Sequence, residues 1–222
     1  MRVKEALANR QSIRAYLPKP VHNDVIVRVL EAASKAPSGV NMQPWKVVVV
    51  RGEAKRKLGE AVEDAFMNGV EDPAEYQYYP ENWAEPFKGR RMACGIQMYD
   101  AIRLERSDKE GRKAQWASNY RAFDAPVVFY FLMHETLGEG GFLDYGIFIQ
   151  SLMLAAQEEG LGTCVQAALA DYPGIVKIAI GYEDKGYRLI GGMAMGYADM
   201  GAPVNNYRTP RADVAEFTTF IE

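Results

Sequence analysis

The run Lys46-Val47-Val48-Val49-Val50 most constrains what this chain folds into. Valine is stiff at χ1 and suits a pleated strand better than a helix. Successive apolar positions leave no wet face, so this strand is expected in the middle of a sheet, covered on both sides. Ala125 to Leu132 reads as a second buried strand. Tyr187 to Gly196 reads as a third, whose paired Gly191-Gly192 points to a close backbone contact. With 222 residues and 48 % apolar content, the chain suits one large domain over residues 1–222.

Helical periodicity fills the space between the strands. Ile26, Val29, Leu30 and Ala33 fall at i, i+3, i+4, i+7. Asn23 or Asp24 is the expected cap, and Pro37 with Gly39 the stop. Leu58, Ala61, Val62, Ala65 and Phe66 mark another amphipathic helix, and Val3, Ala6 and Leu7 a short first one. Helix is expected again from Met92 to Arg121, with the charged run 103–110 as a solvated face. Gly138 to Gly141 reads as a flexible loop leading into a helix from Asp144 to Gln157. That helix is apolar almost all round, which suits a central core helix or a dimer interface, and it is too short for a membrane span. Pro173 starts a short helix through Ile180. Glu216 to Ile221 looks like a terminal strand on a long polar arm, placed to pair with another subunit's sheet.

Composition removes several function classes. Lys plus Arg is 26 and Asp plus Glu is 29, a formal charge of −3, which argues against nucleic acid as a partner. Cys94 and Cys164 lie far apart, and His22 and His134 are too few for a metal site. The low cysteine count fits a reducing cytoplasm, and Met1 to Ala6 lacks the apolar centre of a signal peptide.

Four stretches are left as candidates for chemistry. Ala36 to Trp45 is a polar loop closed by prolines, between a helix and a strand; it sits at the rim of the sheet, either as a ligand site or as a plain connector. Arg10-Gln11-Ser12-Ile13-Arg14 sets two guanidiniums on one side if its turn is helical, around a hydroxyl; this suits a phosphate, or else a solvated charged turn. Gly160 to Leu169 reads as a loop of small residues that lets backbone N–H groups approach a ligand. Residues 71–91 hold Tyr76, Tyr78, Tyr79, Trp83 and Phe87 among three prolines, without a clean period. They form a lid or a surface excursion whose rings pack on the body.

Together these stretches resemble the nitroreductase family of FMN-dependent oxidoreductases. The resemblance rests on Arg10 to Arg14, Pro37 to Trp45, Gly160 to Cys164, and Gly191 to Tyr197 with Arg211 beyond, in the family's order along nearly the whole chain. The aromatic segment and the Glu-Phe-Thr-Thr-Phe ending look most like the nitrobenzene and nitrobenzoate reductase branch. The resemblance implies an α+β fold: a central, mostly antiparallel sheet flanked by helices, with a C-terminal strand exchanged between the subunits of a homodimer. It implies one FMN in each of two sites built from both subunits.

By position, Arg10 and Ser12 hold the phosphate side, Arg211 adds charge there, and Arg14 lies near the pyrimidine edge. Gln11 stands where relatives are often basic. Pro37, Ser38, Gly39 and Asn41 come from the other subunit. Gln43, Gln166 and Arg208 complete the implied cofactor set with Ala167 and Ala168, which occupy the place of a glutamate-glycine pair near flavin N5. No side chain is implied as catalytic and no metal is implied.

The implied activity is ping-pong: NADH or NADPH gives hydride to the flavin and leaves, and a nitroaromatic or quinone-like planar acceptor takes its place. A fixed cation such as Arg14 favours the reduced flavin. Tyr76, Tyr79, Trp83 and Phe87 would wall the pocket for a small aromatic substrate. Two other activities fit the same residues. One is different flavin chemistry on this fold, such as reductive dehalogenation, with Glu75, Tyr79 and Lys88 as a lid grip, or alkene reduction. The other is a flavin-binding module without turnover.

Overall fold

The computed structural model describes residues 2–222. In chain order the elements are α1 (Val3–Asn9), α2 (Asn23–Ala33), β1 (Lys46–Arg51), α3 (Gly52–Met67), α4 (Phe87–Ala101), α5 (Lys109–Ala117), β2 (Val127–His134), α6 (Glu139–Glu158), β3 (Gly162–Gln166), α7 (Pro173–Ala179), β4 (Tyr187–Gly196) and α8 (Val214–Phe217). The strands form one sheet in the order β1-β2-β4-β3, with every pairing antiparallel. The fold is α+β, as expected.

Alternation along β2 divides the core into two layers. Val128, Tyr130 and Leu132 face Leu58, Val62, Tyr172 and Val176 of the α3 and α7 side. Val127, Phe129, Phe131 and Met133 face Ile26, Val29, Phe148 and Leu152 of the α2 and α6 side. β4 changes face within its length. Its pairing with β2 skips Ile190, which bulges between the Phe131–Gly191 and Leu132–Leu189 pairs. One extra residue reverses side-chain alternation, so Leu189 joins the first layer while Met193 and Met195 join the second.

Several expectations are corrected here. β1 is an edge strand, not a central one, and only Val50 in it is fully buried. The both-sides-covered strand is β2, in which every residue but His134 is buried. Residues 162–166 are a strand rather than a loop: Thr163 and Cys164 pair with Met195 and Ala194, and small residues fit because neighbouring chain crowds them. A Cβ at Gly162 would lie 2.6 Å from Ile13. Neither Asn23 nor Asp24 caps α2; His22 holds that position without a side-chain hydrogen bond. Helix between 92 and 121 is broken into α4 and α5, and α6 begins five residues earlier than expected, inside the glycine-rich stretch. Residues 216–221 form no strand. Glu216 and Phe217 end the short α8, capped by reciprocal bonds between Asp213 and Glu216, and the rest is irregular.

One core group carries a pH prediction. Burial raises the Asp171 carboxyl above its usual value, against the lowering effect of the Tyr120 hydroxyl, which donates to it at 3.0 Å. A raised native pKa gives stability that is present below the unfolded carboxylate range and is lost as pH rises through the native value. Asp171→Asn keeps an acceptor for Tyr120 and removes the buried charge. Thermal melts should show it more stable than the parent at neutral pH, with the gap closing as the pH falls toward 4.

Candidate active site

The segment Arg10 to Tyr16 is extended, not helical: Ser12 bridges to Thr163 and Tyr16 to Ala198. Strand geometry cannot set i and i+4 guanidiniums on a helix face, so their convergence has another cause. The segment lies along β3, with the Ile13 N–H donating to Thr163 O at 2.9 Å, and Cys164 beneath it. Burial holds the Cys164 thiol above its usual pKa, while Arg14, the Ser12 hydroxyl and Arg10 pull it down. In an extended segment residues 10, 12 and 14 share one face.

Arg10 is depressed first by its own burial and then by the neighbouring Arg211 and Arg208 cations. Its only side-chain polar contact among the described residues is Met153 Sδ at 3.9 Å. None of the ion pairs among the described residues includes Arg10, Arg14, Arg208 or Arg211. Cations gathered without a carboxylate suit an anion with several oxygens.

The other arginines divide in role. Arg14 Nη1 donates to the Tyr207 hydroxyl at 3.0 Å, and its guanidinium lies 6.0 Å from the Phe123 ring centre. Arg208 donates to the carbonyls of Ala8, Asn9 and Arg10, so it satisfies the C-terminal end of α1. Its fork is committed to backbone, and it contributes to the cluster as charge alone. Arg211 is exposed and donates to Thr209 and Pro210.

Gln11 braces the segment, its Nε2 donating to Asn205 O at 2.9 Å. Asn205 was not singled out by the sequence, yet it is the hub. It is buried; its Oδ1 accepts the Arg14 N–H, and its Nδ2 donates to Ala15 O and Asp199 O. It joins the arginine segment to the chain after β4. Tyr207, Asp144 and Asn119 were also missed. No spacing marks such residues, because each acts on a segment distant in sequence.

At the end of β3, Gln166 is buried and its Nε2 donates to Asn119 O and Oδ1 at 2.9 and 3.1 Å. Asn119 is itself oriented by donating to Trp116 O, so its Oδ1 faces Gln166. This fixes the Gln166 amide and leaves its Oε1 a buried acceptor without a partner among the described residues. Ala167 and Ala168 open the 3-10 turn that follows, and the first N–H groups of such a turn have no acceptor within it.

The loop after α2 lies apart. Pro37, Gly39, Asn41 and Gln43 are exposed and Ser38 is half-buried; Val40 is 99 % exposed at φ 46°. Ser38 Oγ accepts the Gln43 N–H at 2.9 Å, and Gln43 Nε2 donates to Asn41 O.

The aromatic segment is anchored at its base and open at its tip. Asp72 accepts the Ile175 N–H, Glu75 accepts both Lys177 Nζ and the Leu189 N–H, and the Tyr76 hydroxyl donates to Ile190 O at 2.6 Å. The carbonyl at the β4 bulge is thus taken up by the aromatic segment. A chain of rings follows: Phe142 to Tyr76 at 5.1 Å, Tyr78 to Tyr79 at 4.7 Å, and Tyr79 to Trp83 at 5.7 Å, with Arg91 over Trp83. Phe87 stands outside it, exposed at the first position of α4.

The fold and this cationic site define an α+β oxidoreductase scaffold of a recognised class. The nitroreductase family model matches residues 7–197. A 4-nitrobenzoate reductase of Pseudomonas putida is 34 % identical over 97 % of this chain and 93 % of its own length. A nitrobenzene nitroreductase of Ectopseudomonas oleovorans is 33 % identical over 99 % and 96 %. The crystal structure of an FMN and NADPH-dependent nitroreductase NfnB from sphigopyxis sp. strain HMH superposes with a TM-score of 0.96 at 37 % identity, covering all of both chains. The chain belongs to the nitroreductase family.

Proposed function

We propose that this protein is an FMN-dependent NAD(P)H oxidoreductase that reduces nitroaromatic or similar planar electrophiles. The observation that carries the reading is the extended Arg10–Ser12–Arg14 segment paired with β3, whose arginines, with Arg208 and Arg211, enter no ion pair among the described residues. The residues fit FMN on chemistry. The unpaired cations suit its phosphate, and the orphaned Gln166 Oε1 and the opening N–H groups of the 167–170 turn suit a heterocycle with both donors and acceptors. The relatives named as FMN and NADPH-dependent support the same cofactor and donor.

When bound, FMN supplies the alternate acceptance and donation of hydride between the nicotinamide and the planar substrate. The chain's own groups do the rest. Arg10, Ser12 and Arg211 fix the phosphate end. Gln11 and Asn205 hold that segment in register, and Arg208 ties it to α1. Arg14, steadied by Tyr207, places a permanent cation near the pyrimidine edge and stabilises negative charge there. Pro37, Ser38, Gly39, Asn41 and Gln43 close the site from a second subunit, while Tyr79 and Trp83 offer flat faces to an aromatic substrate. Tyr76 serves by anchoring rather than by stacking alone.

We read residues 1–222 as a single domain with residues 71–91 as its lid, working as a homodimer. All fifteen residues of α4 are partly or fully exposed, and Leu143, Phe220 and Ile221 are 72, 83 and 93 % exposed. Apolar surface of this extent marks an interface, and a solution mass of one chain would contradict the dimer. Among the described residues no helix is long and apolar enough to cross a membrane, and no group of His, Cys, Asp or Glu is arranged for a metal. The dehalogenase alternative loses its grip residue, since both Glu75 oxygens are already engaged by Lys177 and the Leu189 N–H. A substrate panel tests the assignment: turnover of nitrobenzoate and nitrobenzene with NADPH is expected, and dehalogenation without nitro reduction would overturn it.

A further inference from the structure

The loop between α2 and β1 holds three non-glycine residues at positive φ: Val40 at 46°, Asn41 at 58° and Gln43 at 51°. Such backbone is costly, most of all for a β-branched residue, and persists only where the surroundings over-determine it. Within the loop Ser38 Oγ accepts the Gln43 N–H, Gln43 Nε2 donates to Asn41 O, and the Asn41 and Met42 N–H groups donate to Ser38 O and Gly39 O. Its two ends are held from outside, by α6. Asp144 Oδ2 accepts the Gly39 N–H at 3.0 Å, where the loop begins. Phe148 stacks on Trp45 at 4.8 Å and 12°, where the loop ends. Asp144 and Phe148 are four residues apart, so one face of α6 grips both ends. Asp144 is buried, and the Gly39 N–H is its hydrogen-bond partner among the described residues.

We propose that Asp144 is a positioning residue for the flavin site: its carboxylate sets the Ser38–Gln43 loop in the shape that the cofactor of the partner subunit needs. The inference rests on the reading that this loop closes an FMN site across the dimer. A loop already held pays little ordering entropy when the cofactor binds, whereas a released loop pays it in full. Each subunit's affinity for FMN is then set partly by a carboxylate in the other.

Three variants of the full chain test this, each stripped of flavin and titrated with FMN, with amide exchange followed over residues 38–43. Asp144→Asn keeps an acceptor of the same shape and should bind FMN within a few-fold of the parent. Asp144→Ala removes the acceptor. It should weaken FMN about 10- to 100-fold, the range for losing one hydrogen bond to a charged group, and speed loop exchange. Asp144→Ser keeps a small polar side chain at the buried position, but its oxygen stops one bond short of the Gly39 N–H. It should reproduce the alanine result, so the test stands even if Asp144→Ala does not fold. A purely structural Asp144 would lower the melting temperature while leaving FMN affinity and loop exchange of the folded protein unchanged, and that result overturns the inference. A parent that binds FMN alongside unaffected variants overturns this inference alone; a parent that binds no FMN overturns the functional reading and the inference with it.

Discussion

Replacing Arg10 and Arg14 together with alanine is expected to leave a folded protein that no longer retains FMN. The fold should survive because neither side chain carries the core. Arg10 reaches only the Met153 sulfur, and Arg14 reaches the Tyr207 hydroxyl at the surface of the site. The segment itself is held by backbone, through Ile13 to Thr163 and Leu17 to Tyr197, and by Asn205. On the proposed reading the cofactor would lose two charge-assisted contacts. At about 1.5–3 kcal/mol each, these come to roughly 3–6 kcal/mol, or about two to four decades in affinity. Flavin content after gel filtration and FMN titration of the stripped protein read the effect. A double variant that keeps its flavin contradicts the assignment of this segment.

The second large effect belongs to a residue outside the expected site. Asn205→Leu should cost about 2–6 kcal/mol of stability: it strands the Arg14 N–H at roughly 1–3 kcal/mol and removes two further hydrogen bonds at roughly 0.5–1.5 kcal/mol each. The acceptors of those two bonds, the Ala15 and Asp199 carbonyls, keep the Asp199 and Ala202 N–H groups as donors. For a chain of this size that corresponds to a fall in melting temperature of roughly 5–20 °C. Residues 10–16 should come loose with it, so FMN binding weakens even below the new melting point. Asn205→Asp separates the two roles. It keeps the acceptor for Arg14 and loses both donations, so it should fall between leucine and the parent.

The legible parts of this fold were those whose residues carry a period or a strong propensity. β2 is a continuous apolar run and is buried as such; α2 and α3 show their faces at i, i+3, i+4. The illegible parts were decided by tertiary neighbours. β3 is built of Gly162, Thr163 and Cys164, which look like a loop until Ile13 and β4 are packed against them. The valines of β1 announced a strand but not its place, because edge or centre depends on which strands arrive later in the chain. The ending Glu216 to Ile221 suggested a strand; in the structure Glu216 and Phe217 close a four-residue helix, and Phe217, Phe220 and Ile221 are exposed.

The candidate site divides in the same way. Arg10, Ser12 and Arg14 stood out in the sequence because guanidinium and hydroxyl groups signal anion chemistry directly, while the structure makes their segment extended and paired with β3 instead of a helical turn. Asn205, Asp144 and Tyr207 were unreadable, since each acts on backbone or a side chain 100 or more positions away. Tyr76 was expected as a pocket wall from its ring, but its hydroxyl is engaged by the β4 bulge, which no local pattern in the sequence announces.

The central claim is that this chain holds FMN and turns it over between a nicotinamide and a planar acceptor. The direct measurement is the anaerobic absorbance spectrum of the purified protein, before and after NADPH or NADH, and again after a nitroaromatic such as nitrobenzoate. A yellow protein that either nicotinamide bleaches and the nitroaromatic recolours is the expected result. A protein that stays colourless after incubation with FMN, or whose bound flavin neither nicotinamide bleaches, would contradict it.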